Sequence, residues 1–291
     1  MHDNLAIGSI RSQSAMEYLM TYGWAILIIA VVLSVLFQLG IFSSGNFQPH
    51  AQAGACQVSR TVAGVSLEGQ CGGLLPQFTG VFSGAEYASV PYSSVFPAGS
   101  SVGSQFGWVY LTAYPGAGAW SGAFGYGATS NYQGRFLSVN PSGTIVFVGY
   151  GDDYYSPYTL PLNQWHFVGY TYSGGTSATV CFDSACSSGA LSGGTALSTP
   201  TNPVYIGEWG SGSSFWKGNI ANVQLYNITL SSSEIQALYL EGIGGAPIRP
   251  QNLVGWWPLN GNANDYSGNS NNGQLNGVTF SSSWESSYTA P

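Results

Sequence analysis

The chain has very little positive charge. Five Lys and Arg residues stand against twelve Asp and Glu among 291 residues, which gives a formal net charge of -7. Binding to nucleic acids depends on Lys and Arg neutralising phosphates, so we expect no nucleic-acid partner. Charged residues make up 6% of the chain and aromatic residues 14%, enough aromatic surface to bury a core. We therefore expect a folded, β-rich body whose polarity comes from Ser, Thr, Asn, Gln and Gly.

Cysteine is also scarce. The four cysteines form two close pairs, Cys56 with Cys71 and Cys181 with Cys186, and neither pair has the Cys-x-x-Cys or His spacing of a zinc site. The simplest interpretation is two local disulfides formed in an oxidising compartment, and reduced buried thiols are the alternative. The second pair predicts a hairpin closed by a four-residue turn.

Common catalytic motifs are missing. No Gly-x-Ser-x-Gly elbow, P-loop or dinucleotide fingerprint stands out among the 41 glycines. Glycoside hydrolases need two carboxylates about 5–9.5 Å apart, whereas Asp152 and Asp153 would point to opposite faces of a strand. We therefore expect no enzyme activity, with a secreted carbohydrase as a remote alternative.

One carboxylate, Glu17, lies inside a hydrophobic segment that runs on from Tyr22 to Phe42. As a helix this run would be roughly 31 Å long, close to the ~30 Å thickness of a bilayer core. A secretory signal would have a more basic start and a shorter apolar stretch. A plain membrane anchor accounts for the length but leaves Glu17 unexplained, because charged residues near a membrane core are rare and usually functional.

The residues around Glu17 resemble the processing site of archaeal type IV pilin-like and archaellin precursors. A cut between Ser12 and Gln13 would make Glu17 the fifth mature residue, as in that family, although Ser12 stands where the family usually has Gly or Ala. The new amino group of Gln13 could then pair with the Glu17 carboxylate. The resemblance implies a cytoplasmic leader at 1–12, a hydrophobic assembly or transmembrane helix at 13–44 and a prepilin peptidase. It also implies a membrane-anchored precursor that later assembles with copies of itself or with other pilins.

Beyond a linker at 45–55, short alternating runs separated by turn residues predict an antiparallel β-sandwich over 56–291. Three segments, 78–91, 163–173 and 215–239, resemble the concanavalin A-like, laminin-G-like jelly roll. In the last segment the family has a strand, a turn and a short helix whose Leu230, Ile235 and Leu238 would face the sheet. By the same resemblance, Trp165 and His166 are strand residues and His166 is not catalytic.

A fourth segment, 253–273, resembles the strand that normally opens such a domain, but here it follows the closing helix. Either a truncated second copy begins at this point, or the domain is circularly permuted and this segment completes its sheet. We favour permutation, because the chain lacks that strand upstream of Phe78.

The resemblance to laminin-G-like domains implies glycan or protein binding, sometimes through calcium. Calcium prefers carboxylate and amide oxygens, so Asp265 with Asn264 and Asn262 is one candidate, although such residues also simply form turns. A second candidate ligand loop carries carboxylates beside aromatic rings and consists of Asp152, Asp153, Tyr154 and Tyr155. Asn227 begins the sequon Asn227-Ile228-Thr229, which predicts an exposed glycosylation site.

Two functions follow from these features. The preferred one is a subunit of an archaeal type IV pilus-like filament that displays a laminin-G-like domain at the cell surface for adhesion or glycan binding. The alternative is a membrane-anchored, lectin-like receptor that does not polymerise.

Overall fold

The computed structural model describes residues 15–38, 50–51, 60–61, 64–65, 75–210 and 212–291. The chain divides into two compact units, Met1–Phe47 and Gln48–Pro291. The predicted leader, with Ser12 and Gln13, lies outside the described residues.

The first unit contains helix α1, Ala15–Gln38, whose range includes Glu17. Taken by itself, the helix exposes large apolar side chains, among them Trp24, Ile26 and Leu33. Within the described ranges, no helix combines the length and the apolarity that crossing a membrane requires.

The second unit begins with short paired strands. Strand β1, His50–Ala51, lies inside the predicted linker and pairs in parallel with β4, Leu75–Pro76. Strand β2, Arg60–Thr61, pairs with β3, Gly64–Val65. Cys56 and Cys71 lie outside the described residues, so their pairing stays a prediction.

Two antiparallel sheets then form a sandwich, as the alternating runs predicted. The seven-stranded sheet has, in spatial order, β11 (Tyr154–Thr159), β10 (Thr144–Val148), β9 (Gly134–Val139), β8 (Ser121–Gly127), β15 (Val204–Ile206), β6 (Tyr87–Val90) and β18 (Gln274–Asn276). The eight-stranded sheet has β14 (Ala185–Ala190), β13 (Ser177–Phe182), β12 (Trp165–Tyr172), β7 (Gly103–Leu111), β16 (Lys217–Tyr226), β5 (Thr79–Ser83) and β19 (Thr279–Ser281), with β17 (Leu253–Trp257) paired to β16.

The core between the sheets follows from alternation along the strands. On β10, Ile145 and Phe147 belong to the main core cluster, whereas Val146 and Val148 lie in a second cluster with Trp209. The seven-stranded sheet therefore buries apolar side chains on both of its faces.

Helix α2, Ser232–Glu241, covers part of the outer face of the eight-stranded sheet. The Ser231 side chain caps its first turn, and Glu234 completes the capping box, which satisfies backbone N–H groups at the start of the helix. Leu230, Ile235 and Leu238 are buried in the cluster on this face, as predicted.

The C-terminal segment belongs to the same sandwich. Strand β17 pairs with β16, β18 pairs with β6, and β19 pairs with β5. The segment thus completes both sheets, as the permuted arrangement expects, and does not begin a second domain within the described residues.

The predicted hairpin disulfide is present between Cys181 and Cys186, which face each other on β13 and β14 with Cα atoms 4.1 Å apart. The prediction of a four-residue turn was wrong, because Phe182 and Ala185 still pair as strand residues. Only Asp183 and Ser184 make the turn.

Candidate functional site

The outer face of the seven-stranded sheet carries a cluster of aromatic side chains. We call it the outer aromatic face, made of Trp120, Phe136, Tyr150, Tyr155 and Trp209. Phe136 lies on β9 and Tyr155 on β11, whereas the other three lie in the segments just before β8, after β10 and after β15. Strands on one half of the sheet thus bring together residues that are far apart in the sequence.

Neighbouring rings contact one another across the outer aromatic face. The ring centroids of Trp120 and Tyr155 are 6.1 Å apart, and those of Trp120 and Trp209 are 5.5 Å apart. Trp209 also stacks on Phe136 at 6.3 Å and meets Tyr150 edge to face at 6.5 Å. Such contacts hold the rings in defined orientations.

Trp209 lies at the centre of the face because the strand beneath it has a glycine. A Cβ atom at Gly122 of β8 would be 2.5 Å from Trp209 Cδ1, so a side chain there would displace the indole. The indole N–H donates a hydrogen bond to Ser138 Oγ on β9. The preceding residue, Glu208, is buried and accepts a hydrogen bond from the backbone N–H of Gly212 at 3.1 Å, which steadies the loop that carries Trp209.

The rim of the face is open to solvent. Tyr155 is 51% exposed and Tyr150 36% exposed, whereas Trp209 is 9% exposed. Asp153 beside them is half-buried, accepts the backbone N–H of Tyr150 at 3.0 Å, and has a pKa raised by burial. Burial and the Asp153 charge together raise the pKa of Tyr155. The face therefore offers exposed rings beside one accessible carboxylate.

The predicted ligand loop is split between this face and the interior. Asp153 and Tyr155 reach the outer aromatic face, but Tyr154 packs against the main core and its hydroxyl bonds Ser187 Oγ at 2.8 Å. Asp152 is fully buried, and its Oδ1 accepts the backbone N–H of Gly193. The expectation that Asp152 and Asp153 alternate along a strand was wrong, because both precede β11, which begins at Tyr154.

The predicted calcium residues instead form a hydrogen-bonded turn. Asp265 Oδ1 accepts the backbone N–H groups of Trp256 at 2.9 Å and Ser267 at 2.8 Å. Its Oδ2 accepts the Ser267 hydroxyl at 2.9 Å and the backbone N–H of Asn271 at 2.8 Å. Both oxygens are thus used by the protein, and these residues do not fit a calcium ion that needs six to eight oxygen ligands.

The two asparagines beside Asp265 serve the same turn. The backbone N–H of Asn264 donates to Asn262 Oδ1 at 2.9 Å, and Asn262 Nδ2 donates to the Tyr266 hydroxyl at 3.1 Å. Among the described residues, no group of three or more His, Cys, Asp or Glu side chains could hold a metal ion.

The remaining sequence predictions concern single residues. Asn227 is exposed just after β16, where a glycan could be attached, and glycosylation there stays a prediction. Trp165 and His166 lie on β12, as predicted. His166 Nδ1 is 2.9 Å from Asp183 Oδ2, so this pair ties β12 to the β13–β14 turn.

Sequence reasoning missed Trp120 and Trp209. Trp120 follows a short stretch rich in Gly and Ala, 116–119, and Trp209 precedes one rich in Gly and Ser, 210–214. A large aromatic residue beside a turn-forming stretch does not contribute to the alternation that buries a strand. Its presence there was the available signal in the sequence for a role at the surface. Their meeting across the sheet depends on strand order, which local patterns do not specify.

Comparisons with known proteins agree with this architecture. The family model described as the concanavalin A-like lectin/glucanases superfamily, Laminin_G_3, matches residues 82–236. No curated protein matches the chain.

Three solved structures resemble the chain at low sequence identity. A candidate carbohydrate-binding protein from Bacteroides ovatus is 16% identical, with a TM-score of 0.54; the match covers 77% of this chain and 65% of that protein. A heptameric SAP-like pentraxin from Limulus polyphemus is 16% identical, with a TM-score of 0.49. The match covers 70% of this chain and 94% of the pentraxin chain. Domains LG4-5 of the mouse laminin alpha1 chain are 15% identical, with a TM-score of 0.39, and the match covers 58% and 46% of the two chains.

At 16% identity, the likeness to the Bacteroides ovatus protein concerns the fold alone. The family model, in contrast, matches more than half of the sequence, from β5 through the first half of α2. With its two antiparallel sheets, the chain belongs to the concanavalin A-like lectin/glucanases superfamily.

Proposed function

We propose that the outer aromatic face binds glycans. The observation that carries this proposal is the contact between Trp120 and the half-exposed ring of Tyr155, with Asp153 beside them. The C–H face of a sugar ring is apolar and stacks on indole and phenol rings, while its hydroxyls donate hydrogen bonds to a carboxylate. A partly exposed aromatic surface beside one acceptor suits such a ligand.

Family membership and the fold of one relative support the proposal. The superfamily description includes lectins, and the Bacteroides ovatus protein that shares the fold is described as a candidate carbohydrate-binding protein. The low positive charge of the chain also favours neutral ligands over polyanions.

A glycan array tests the proposal. We expect the full chain to bind a defined subset of glycans and Tyr155→Ala to lose that binding. Tyr92→Ala is the matched control, because Tyr92 is also exposed but contacts Phe96 instead of the outer aromatic face. An array on which no glycan binds, or on which both variants bind like the natural chain, would contradict the proposal.

We propose binding without hydrolysis. Glycoside hydrolysis requires two carboxylates that reach the sugar from both sides. Beside the outer aromatic face, Asp153 is accessible, but Glu208 is 3% exposed and is engaged with Gly212. We expect array ligands to be recovered intact after long incubation, and release of reducing ends that is lost in Asp153→Asn would overturn this part.

We propose further that the domain is displayed at the cell surface on an archaeal type IV pilus-like filament. The support is the spacing from Ser12 to Glu17, which matches a pilin-like processing site, and the apolar side chains along helix α1. Large exposed apolar surfaces on a helix mark association with other helices or with lipid.

Mass spectrometry of the native N-terminus tests the filament proposal. A chain that starts at Gln13 agrees with pilin processing, whereas an intact leader or a cut after Phe42 contradicts it. Imaging of sheared surface material then separates a polymer from the alternative, a non-polymerising lectin-like receptor: fibres that contain this protein support the filament.

A further inference from the structure

A cavity opens on the opposite side of the sandwich from the outer aromatic face, on the outer face of the eight-stranded sheet. It has a volume of about 230 Å³. Its floor is a row across three neighbouring strands, because Tyr110 on β7 is directly opposite both Trp165 on β12 and Asn219 on β16. We call this cavity the tryptophan cleft.

The wall of the tryptophan cleft comes from the C-terminal segment. Trp284 stands edge-on to Trp165, with ring centroids 6.0 Å apart, and Tyr110 lies 5.8 Å from Trp165. Four serines complete the wall, Ser281, Ser283, Ser286 and Ser287. The cleft therefore combines three aromatic rings with a rim of hydroxyl groups.

Two tryptophans that line the cleft have a buried indole N–H group without an acceptor. Trp165 is 6% exposed and Trp284 3% exposed, and the indole Nε1 atom of each has no hydrogen-bond partner within the described residues. Buried indole N–H groups normally find a partner, and leaving one unpaired costs free energy. Both nitrogen atoms have less than 1 Å² of accessible surface, so a ligand in the cleft would reach them only if the indoles moved.

The lining also restricts the charge of the ligand. It contains no Lys, Arg, His, Asp or Glu side chain. Asn219 Nδ2 donates to Thr79 Oγ1 at 3.0 Å, which fixes the orientation of the amide on the floor. A charged ligand would lose its hydration here without gaining an opposite charge, so the lining favours a neutral one.

The size of the cleft limits the ligand to a single ring. Sites for drug-sized ligands usually measure about 300–1,000 Å³, and the tryptophan cleft is smaller. From its size, its aromatic floor and its hydroxyl rim, we infer that the tryptophan cleft binds one neutral pyranose unit. This second sugar site is independent of the glycan site proposed on the outer aromatic face.

Nuclear magnetic resonance of the indole N–H groups tests the inference. The full chain, labelled with ¹⁵N at the tryptophan indoles, is titrated with methyl glucoside, methyl galactoside, methyl mannoside and methyl xyloside. Trp165→Phe and Trp284→Phe identify the two resonances. We expect at least one glycoside to shift both resonances in a saturable way, and glycerol, which has no ring, to leave them unchanged.

Matched variants locate the binding. Ser283 is exposed and lines the cleft, whereas Ser282 is exposed but does not line it. Ser283→Phe should abolish the saturable shift, and Ser282→Phe should retain it. Trp120→Ala, on the other sheet, should also retain the shift. The experiment therefore tests binding in the tryptophan cleft separately from glycan binding at the outer aromatic face.

Three results would overturn the inference. They are the absence of a saturable shift with all four glycosides, an equal shift with glycerol, and a glycoside shift that persists in Ser283→Phe.

Discussion

The indole of Trp209 lies directly on the backbone of Gly122. A Cβ atom at Gly122 would be 2.5 Å from Trp209 Cδ1 and 2.8 Å from the carbonyl carbon of Glu208. The glycine therefore determines where the central ring of the outer aromatic face can lie, although it cannot itself contact a glycan through a side chain.

Gly122→Ala should displace Trp209 and weaken glycan binding. The added methyl group meets both a ring and a backbone atom, and overpacking of this kind costs about 1–3 kcal/mol. Urea unfolding measures the loss of stability, and the glycan array measures the loss of binding. Gly116→Ala is the control, because a Cβ there meets no atom within 4 Å. Equal stability and equal binding of the two variants would show that Gly122 does not position Trp209.

Two glutamates should give opposite dependences of stability on pH. Burial raises the pKa of Glu208, so this residue costs stability as pH rises through its folded pKa. Hydrogen bonds, first from the backbone N–H of Ala85 and also from that of Ser83, lower the pKa of Glu86 despite an opposing effect of burial. Glu86 therefore contributes stability above its ordinary pKa, and this contribution is lost as pH falls through its folded pKa.

The test is the Glu→Gln variant of each residue, unfolded in urea from acid to neutral pH. Glu208→Gln should be more stable than the natural chain at neutral pH, with the difference vanishing in acid. Glu86→Gln should be less stable at neutral pH, and this difference should also vanish in acid. A change of the same sign in the unfolding free energy of both variants at neutral pH would refute the assigned electrostatics.

Removal of the hairpin disulfide should destabilise the sandwich only modestly. Cys181 and Cys186 are separated by five positions, and closing such a short loop contributes about 2 kcal/mol in the chain-entropy model. The double variant Cys181→Ala, Cys186→Ala, compared with the natural chain in urea unfolding, measures this contribution and leaves Cys56 and Cys71 unchanged. A chain that fails to fold without the bridge would contradict a modest role.

Asp265 should stabilise the fold without calcium. Its two oxygens accept four hydrogen bonds, three of them from backbone N–H groups. Hydrogen bonds to charged groups contribute about 1.5–3 kcal/mol, so Asp265→Ala should lower the unfolding free energy by at least about 2 kcal/mol. Asn264→Ala, on an exposed neighbour that contributes its backbone N–H, should change little.

Chelation separates the structural role of Asp265 from a metal site. Thermal unfolding of the natural chain should be the same with calcium and with a chelator. A melting temperature that rises with calcium and no longer does so in Asp265→Ala would assign the ion to this turn.

Local patterns in the sequence predict much of the sandwich. Alternating runs predicted the two antiparallel sheets, and the resemblance to the jelly roll placed Trp165 on a strand and Leu230, Ile235 and Leu238 against the sheet. The hairpin between Cys181 and Cys186 was also predictable, although its turn is shorter than expected.

The site was only half predictable. Tyr155 and Asp153 attracted attention as an aromatic residue beside a carboxylate, but their neighbours Tyr154 and Asp152 turn inwards. The sequence pattern does not reveal which member of each pair faces outwards, because the turn before β11 sets the register. Trp120 and Trp209 join the face only through the pairing of β8 with β9 and β15.

The central claim is that the outer aromatic face binds glycans, and calorimetric titration with the strongest array ligand tests it most directly. The measurement compares the natural chain with Trp120→Ala and with the control Tyr92→Ala. Aromatic residues at binding hot spots contribute about 2 kcal/mol or more, so Trp120→Ala should weaken binding at least about tenfold. Tyr92→Ala should bind like the natural chain. Unchanged affinity in Trp120→Ala would contradict the account.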